Sequence, residues 1–337
     1  MNRFNEHYDI RLAEYDEIGE LMQFIDEYWR KGHILSTNRD FFMYEMVIDG
    51  KVNFLIAKNR EIEKIESIIG FLPASKDKDK LDVWGVIWKS APEAMPMLGI
   101  ELMKRLPEII GARTVLGVGA NSKTAVPLLS RICHYYTCKM KHYYRLANLD
   151  DYAIAKVNHK VIPDYSDSEN LKIIRIEDKE ELKHFFDFSI NKNKIPYKDE
   201  WYYCRRFLKH PVYKYDIYGL RLDDRKALMV IRKQEYDGRS VLRIVDYEGD
   251  PSLFEKCGSF LDEILIGNEY IDFYFAGFEE NIVKSAGFVD IDAFDNIIPD
   301  YFHPFEQKNV DIYVVSSNNT DECSFFKADG DQDRPSY

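Results

Sequence analysis

Hydrophobic and polar positions change period along this chain in the same order twice. Residues 9–146 show alternating stretches typical of strands and apolar stripes at helical spacing, in the order strand, helix pair, three strands, helix, strand, helix, strand. Residues 171–315 repeat that order with almost no shared letters. When the order of strand-like and helix-like hydrophobic patterns recurs although the residues themselves differ, an internal repeat is indicated. The sequence therefore predicts two copies of one domain.

In the first half, a buried apolar stripe predicts a helix over residues 17–29, which Gly32 ends. Residues 33–38 are predicted to form a loop in which Thr37 or Asn38 caps the next helix. Prolines 92 and 96 fit a strand-to-helix turn with exposed backbone amides. The other predicted helices span 39–47, 97–110 and 123–133, and the strands span 8–13, 51–59, 65–73, 81–88, 113–120 and 139–146.

The second half is predicted to close with a strand over residues 310–316, as the first closes with 139–146. The fold class is therefore α/β, with a mixed α+β sheet in each of two tandem domains, mostly antiparallel and flanked by helices. The predicted boundaries are 1–149 for the first domain, 150–170 for an acidic linker, 171–317 for the second domain and 318–337 for an irregular polar tail. The other predicted elements are helices over 179–191, 198–209, 253–265 and 279–285, and strands over 171–176, 215–222, 227–234, 241–247 and 271–277.

Composition narrows the class of protein. A formal net charge of −12 argues against a basic face that tracks phosphates, so no nucleic-acid partner is expected. Five scattered cysteines without zinc-site spacing indicate reduced thiols. No stretch reaches the 18 or more apolar residues that span a bilayer, so a cytoplasmic protein without a transmembrane segment is expected.

The segment Pro96-Met97-Leu98-Gly99-Ile100 and the ending Lys284-Ser285-Ala286-Gly287-Phe288 lie at informative points of this order. Together with the order itself, they resemble the GNAT superfamily of acyl-CoA-dependent N-acyltransferases, over about 290 residues. In that superfamily the first segment is the pyrophosphate loop, usually Gln or Arg, two residues, Gly, one residue, Gly or Ala. Only Gly99 of this pattern remains, and Pro96 removes one amide donor.

The resemblance implies acetyl-CoA or another acyl-CoA as co-substrate and no metal. The first half is the favoured coenzyme site, because it keeps Gly99 and has Lys89 and Lys123 nearby. The implied coenzyme-binding residues are Trp88, Lys89, Met97, Leu98, Gly99, Asn121 and Ser122.

An amine that attacks a thioester must lose a proton, so a carboxylate or histidine is needed as general base. His33, in the predicted loop, is one candidate base or a sugar-hydroxyl ligand; the alternative is an exposed histidine without a role. Asp246 ends an apolar strand, where desolvation would raise its pKa; the alternative is a turn carboxylate. Tyr247 is the candidate proton donor to the leaving thiolate, and Asp82, the counterpart of Asp246, is interpreted as structural.

Glu248 and the aromatic residues Tyr301, Phe302 and Phe305 are candidates for acceptor binding, since a rigid aromatic loop between two prolines can stack on a sugar. Packing between the domains explains that loop equally well. The tail carries Asp329, Asp331, Asp333 and Arg334 without EF-hand spacing. A solvated tail is the favoured interpretation, and contact with substrate is the alternative.

A narrower resemblance points to the acceptor. Segments 29–42, 243–249, 298–305 and 325–335 look like tandem acyltransferase-like proteins of bacterial surface-polysaccharide biosynthesis. This implies an amino sugar, nucleotide- or lipid-linked, as the small-molecule acceptor; the oligomeric state stays open. The alternatives are a Fem-type tRNA-dependent aminoacyltransferase and a non-catalytic glycan-binding protein with two degenerate loops.

Overall fold

The computed structural model describes residues 3–168, 170–318 and 323–337, and its first half follows the predicted order of elements. Residue 169 of the predicted linker and residues 319–322 of the predicted tail lie outside the described residues. The helices of this half are α1 (Arg3–His7), α2 (Ile18–Phe24), α3 (Ile34–Thr37), α4 (Arg39–Met46), α5 (Leu98–Ile110) and α6 (Ala125–Ile132). Its strands are β1 (Tyr8–Leu12), β2 (Val47–Ile48), β3 (Lys51–Val52), β4 (Phe54–Asn59), β5 (Ile65–Pro73), β6 (Asp82–Ser90), β7 (Thr114–Val118), β8 (Tyr136–Lys139) and β9 (Lys141–Leu146).

The helices of the second half are short, and α8 continues directly as a π-helical turn, Cys204–Leu208. Its helices are α7 (Lys179–Phe185), α8 (Glu200–Tyr203), α9 (Gly258–Leu265) and α10 (Glu280–Ser285). Its strands are β10 (Lys172–Ile176), β11 (Asp216–Leu222), β12 (Arg225–Tyr236), β13 (Arg239–Gly249), β14 (Tyr270–Ala276), β15 (Val289–Asp290), β16 (Tyr301–Phe302), β17 (Phe305–Glu306), β18 (Tyr313–Ser316) and β19 (Phe325–Phe326).

The prediction of a loop over residues 33–38 is wrong in its middle. His33 is the N-cap of the short helix α3, because its Nδ1 accepts a hydrogen bond from the Leu35 N–H at 3.2 Å. Asn38 caps α4 as predicted, since its side-chain oxygen accepts from the Phe41 N–H at 2.9 Å. The two caps turn the chain sharply and fold this segment onto the first sheet.

Two mixed sheets form the framework. The first has the strand order β1-β4-β5-β6-β7-β18-β8, and the second has the order β10-β11-β12-β13-β14-β9-β15. Neighbouring strands are antiparallel except for one parallel pair in each sheet, β6–β7 and β13–β14. The predicted fold class of mixed sheets flanked by helices is confirmed.

The closing strand of each sheet comes from the other half of the chain, which corrects the predicted assignment. β9, expected to close the first sheet, pairs with β14 of the second along six positions from Leu146↔Tyr270 to Lys141↔Phe275. β18, expected to close the second sheet, lies between β7 and β8 of the first. The first sheet therefore takes β18 from beyond its predicted boundaries, and the second takes β9 and also β19 of the tail, which pairs with β14.

The two halves also share one apolar core. Phe42 and Trp84 of the first half belong to the same buried cluster as Leu228 and Tyr274 of the second, and Ala328 of the tail completes it. Burial of aromatic and branched side chains from both sides stabilises the pair of sheets as one unit.

In each sheet the parallel pair separates after a few residues. β6 and β7 are paired only from Asp82↔Thr114 to Trp84↔Leu116, although β6 continues to Ser90 and β7 to Val118. β13 and β14 are paired only from Leu242↔Ile271 to Ile244↔Phe273. Each sheet therefore contains a V-shaped cleft that is open at the carboxyl ends of its two parallel strands.

Candidate active site

The cleft of the first sheet holds an open cavity of about 720 Å³. Beyond Trp84, β6 runs along this cavity without pairing to β7, so its backbone groups on that side face the cavity. The volume lies in the range of small-molecule and cofactor sites. The lining is mostly apolar and includes Gly85, Ile87, Trp88, Gly117, Ala120 and Tyr135.

Helix α5 begins at the mouth of this cavity. Met97, its N-cap, has a left-handed backbone with φ of 74°, and no side chain caps the helix. Leu98 donates its N–H to Met95 at 3.1 Å and Glu101 donates to Met97 at 3.0 Å, whereas the N–H groups of Gly99 and Ile100 make no such bond in the described chain. Free donors at a helix start, beside an open cleft, fit the phosphates of a coenzyme.

Five of the seven predicted coenzyme-binding residues line this cavity: Trp88, Lys89, Met97, Gly99 and Asn121. Leu98 instead points into the core and is fully buried. Ser122 is exposed beside the cavity and is absent from its lining. The two exceptions follow from helix and turn geometry, since adjacent residues there face different sides.

Gly99 allows α5 to approach β6 closely. The Trp88 indole N–H donates to the Gly99 carbonyl at 2.9 Å. A Cβ on Gly99 would lie 3.0 Å from both Ser90 Oγ and Trp88 Nε1. The glycine, the only part of the pyrophosphate-loop pattern that remains, thus fixes the helix start against the strand.

A bulge in β6 lies where the cleft opens. Trp88 pairs with Ile69 and Val86 with Gly70, so Ile87 between them has no partner on β5. Its φ of 43° is an outlier for a β-branched residue. Such strained positions cluster at functional sites, and this one brings unpaired backbone groups to the inner end of the cavity.

A second cavity of about 400 Å³ adjoins the first, between the two halves of the molecule. The two share Trp29, Val86, Ile87 and Asp331 as lining residues. Arg243 and Lys327 in its wall are neutralised by buried carboxylates: Arg243 lies 2.8 Å from Asp272, and Lys327 contacts Asp300. A polar molecule in the second cavity would therefore meet a coenzyme in the first at Asp331 and the bulge.

Asp331 is the carboxylate at this junction. Burial raises its pKa to about 6. No cation is paired with it within the described residues. A carboxylate with such a pKa is ionised near neutral pH and basic enough to accept a proton. The sequence interpretation favoured a solvated tail, and this is wrong for residues 323–337, most of which are buried.

His33 lines the second cavity, as its prediction as an acceptor-site residue requires, but it is only 9% exposed. Burial, assisted by nearby Arg30, lowers the pKa of His33 to about 4. Its Nδ1 already accepts the α3 capping bond. The ring is therefore neutral at pH 7 and suits hydrogen bonding to an acceptor better than proton abstraction.

We expect this histidine to make the protein acid-sensitive. The unfolded chain binds a proton at His33 near pH 6.5, whereas the folded chain does so only near pH 4, so its contribution to stability is lost as pH falls through this window. Replacement His33→Asn keeps a capping oxygen without the titration. In urea unfolding, the variant should gain stability relative to wild type between pH 7 and pH 5; a difference that is constant with pH would contradict this.

Asp246, Tyr247 and Glu248 lie away from both cavities. Asp246 is fully buried, and its oxygens lie 2.7 Å from Lys198 Nζ and 2.9 Å from the Tyr203 hydroxyl. The Tyr247 hydroxyl donates to the Asp250 carbonyl at 2.8 Å. Burial raises the pKa of Glu248, which accepts from Lys194 Nζ at 3.2 Å. The structure places these candidates in the second half, where Tyr247 and Glu248 border a separate cavity of about 240 Å³.

The aromatic loop is divided between two surroundings. Tyr301, 41% exposed, and Phe302 line the second cavity, in the place predicted for acceptor contacts. Phe305 points away and stacks on Tyr236 with ring centroids 3.9 Å apart. Tyr301 and Phe302 therefore border a cavity, whereas Phe305 packs against Tyr236.

The cleft of the second sheet is filled by the chain itself. β19 pairs with β14 at Phe275↔Phe326, and the Ala328 N–H donates to the Val245 carbonyl of β13 at 2.8 Å. The turn at its mouth is also occupied, because the Asp250 side chain accepts from the Ser252 N–H at 2.9 Å. The first cleft is open, whereas the tail occupies the second and leaves beside it the 240 Å³ cavity bordered by Glu248, Gly277 and Phe326.

Comparison with known proteins gives the fold. No protein-family model matches the sequence, and no curated protein matches it. The chain is similar to the crystal structure of a GCN5-related N-acetyltransferase from Anabaena variabilis, with a TM-score of 0.59 and 10% identity over 93% of this chain and 74% of that one. The chain has the GNAT fold. At this identity the likeness shows the fold alone.

A second solved structure supports the same assignment. It is a conserved protein of unknown function from Enterococcus faecalis, described as a probable N-acyltransferase, with a TM-score of 0.54 and 10% identity. The match covers 92% of this chain and 72% of that one. Within the described residues of this GNAT-fold chain, no helix combines the length and apolar character needed to cross a bilayer.

Proposed function

We propose that this protein is an acyl-CoA-dependent N-acyltransferase whose coenzyme site is the cleft of the first sheet. The observation that carries the proposal is the meeting of the open 720 Å³ cleft with a second cavity at a carboxylate, Asp331, whose pKa burial raises to about 6. Coenzyme in one cavity and amine in the other would bring the thioester, the nucleophile and a base together.

The reaction then follows from the residues at the junction. Asp331 takes a proton from the acceptor ammonium, the amine nitrogen forms a bond to the thioester carbon, and the carbon–sulfur bond breaks. Backbone N–H groups near Ile87 are candidates to stabilise the carbonyl oxygen. Burial raises the pKa of Tyr135 in the cavity wall, so its phenol is protonated and can donate that proton to the leaving sulfur. The nitrogen, now bonded to the acyl carbon, then gives its second proton to the Tyr135 oxygen.

For the acceptor we propose an amino sugar on a nucleotide or lipid carrier, made in the cytoplasm for a surface glycan, with acetyl as the acyl group. Tyr301 offers an exposed aromatic face in the second cavity, and Gln234 there has a buried side-chain oxygen with no hydrogen-bond partner among the described residues. Aromatic faces and unmatched polar atoms suit a ring with hydroxyl groups. A tandem arrangement of two GNAT-like domains, which exchange β9 and β18 across the predicted boundaries, belongs to this proposal.

Calorimetric titration with acetyl-CoA and free CoA tests the coenzyme site. In Gly99→Trp, the new side chain must displace Ser90 and Trp88 at the helix start, so affinity should fall at least about tenfold. Gly19→Trp is the matched control, because a Cβ there meets no atom within 4 Å. Binding that survives Gly99→Trp would argue for another coenzyme site. No binding to the wild type would overturn the proposal and favour the tRNA-dependent or non-catalytic alternative.

A further inference from the structure

The tail, residues 323–337, runs from the second half of the molecule to the first. It begins in the cleft of the second sheet, where β19 pairs with β14. It then passes Asp331 and reaches the start of α3, where the Ile34 N–H donates to the Ser336 carbonyl at 3.3 Å. Arg334 contacts Glu45 of α4 on the way. Asp331, the carboxylate at the junction of the two cavities, therefore lies on a segment that begins in the second half of the molecule.

Asp329, two residues before Asp331, is fixed by a buried cation. Lys198 Nζ lies 2.7 Å from Asp329 and 2.7 Å from Asp246, and all three side chains are at most 2% exposed. The other Asp329 oxygen accepts from the Phe326 N–H at 2.9 Å. Asp246, which the sequence marked as a candidate base, thus shares the lysine that holds the tail.

Asp333, two residues after Asp331, is fixed in the same way. Its oxygens lie 2.9 Å from Arg232 NH2 and 2.9 Å from the Tyr215 hydroxyl. Its carbonyl accepts from Arg206 NH2 at 2.6 Å. Arg232 lies on β12, Arg206 lies in the π-helical turn after α8, and Tyr215 directly precedes β11, so the second half alone supplies these partners.

We propose that Lys198, Arg206 and Arg232 are positioning residues for Asp331. The second half of the molecule thus holds in place the general base that acts at the cleft of the first sheet. This inference rests on the proposed function. Removing a charge from water is costly unless its ion-pair geometry is good and its hydrogen bonds are made. These buried ion pairs therefore favour the one arrangement of the tail in which every charge has its partner. A general base must be held in one position, because a displacement of about 1 Å can lower the rate about 10²-fold.

This assignment also accounts for the difference between the two clefts. The cleft of the second sheet has the same parallel pair and the same early separation as the first, yet Phe325 and Phe326 occupy it. A Cβ on Gly277 would lie 2.0 Å from the Cys323 carbonyl oxygen, which shows how closely the tail fits there. The second cleft thus binds the tail where the first would bind a coenzyme.

The test uses Asp329→Asn and Asp333→Asn in the full chain. Asp329→Asn leaves Lys198 paired with Asp246, so the fold keeps its buried pair while the tail loses an anchor. With acetyl-CoA and UDP-linked glucosamine as probes, kcat should fall about 10- to 100-fold and the acetyl-CoA affinity should stay within about threefold. The dependence of rate on an ionised carboxylate should persist, since Asp331 is still present. Amide hydrogen exchange of residues 323–337 should become faster.

Glu269→Gln is the control for general destabilisation. Glu269 is a buried carboxylate of the second half that accepts from the N–H groups of residues 153–155 and does not touch the tail. It should lower stability without changing kcat or exchange in the tail. Full kcat in the anchor variants despite a loosened tail, or unchanged exchange of the tail, would overturn the inference and leave the proposed function standing. A wild type that neither binds acetyl-CoA nor transfers acetyl would overturn both.

Discussion

Replacement of Asp331 by asparagine is expected to lower kcat for acyl transfer by about 10²- to 10⁴-fold, the usual contribution of a general base. The amide is nearly isosteric but cannot accept the amine proton. Because burial raises the pKa of Asp331 to about 6, the wild-type rate should rise between pH 5 and pH 7 and then level off. That rise should be absent from Asp331→Asn. The measurement is steady-state transfer from acetyl-CoA to glucosamine and UDP-linked glucosamine.

The neighbouring carboxylates provide the contrast. Calorimetry should show that Asp331→Asn binds acetyl-CoA about as tightly as wild type, since the proposed phosphate site is the start of α5 and the amide keeps the size of the carboxylate that lines the cavity. Asp246→Asn, which changes a carboxylate that lines neither cavity, should leave the acid limb of the rate profile in place. A rate that is lost in Asp246→Asn but kept in Asp331→Asn would return the base to the residue that the sequence favoured.

Replacement of Arg243 by methionine should destabilise the protein by about 3–5 kcal/mol, the cost of leaving a buried charge without its partner. The guanidinium is fully buried between two carboxylates, with 2.8 Å contacts to both Asp272 oxygens and a 3.3 Å contact to Asp300. Methionine fills the space of the arginine side chain but removes the cation that Asp272 and Asp300 share. Chemical unfolding followed by circular dichroism measures the loss.

A surface pair sets the scale for this effect. Arg175 lies close to Asp216 with its side chain 59% exposed, and exposed pairs contribute about 0–1 kcal/mol. Arg175→Met should therefore change the free energy of unfolding by no more than about 1 kcal/mol. Equal losses in Arg243→Met and Arg175→Met would mean that the buried network contributes little to the stability of the fold.

The order of elements could be predicted because each strand and helix carries its own apolar period. The partners of β9 and β18 could not, because an alternating strand fits an open position in either sheet equally well. The strand-to-helix turn at Gly99, which leaves amides free beside the open cleft, was predictable, but the filling of the second cleft depends on the tail, which is distant in sequence.

Asp331 was missed for a physical reason. A polar segment with several aspartates and a glycine is typical of a solvent-exposed tail. Its burial depends on cationic residues that are distant in sequence. A signal was nevertheless present: Arg232 and Arg243 interrupt the apolar strands β12 and β13, where a charge requires a buried partner. Arg232, read together with the unassigned aspartates of the tail, would have indicated its pairing with Asp333, whereas Arg243 pairs with Asp272 and Asp300.

The exchange of β9 and β18 has a consequence for how the protein is made. The first sheet joins β7 to β18 through pairs such as Val118↔Val314, so it stays incomplete until the chain has been made as far as Ser316 and has left the ribosome. Pairing across so many residues is intrinsically slow because a long loop must close first. The two halves should therefore mature together in one late step, and synthesis of the first half alone should leave β7 as an exposed edge prone to aggregation.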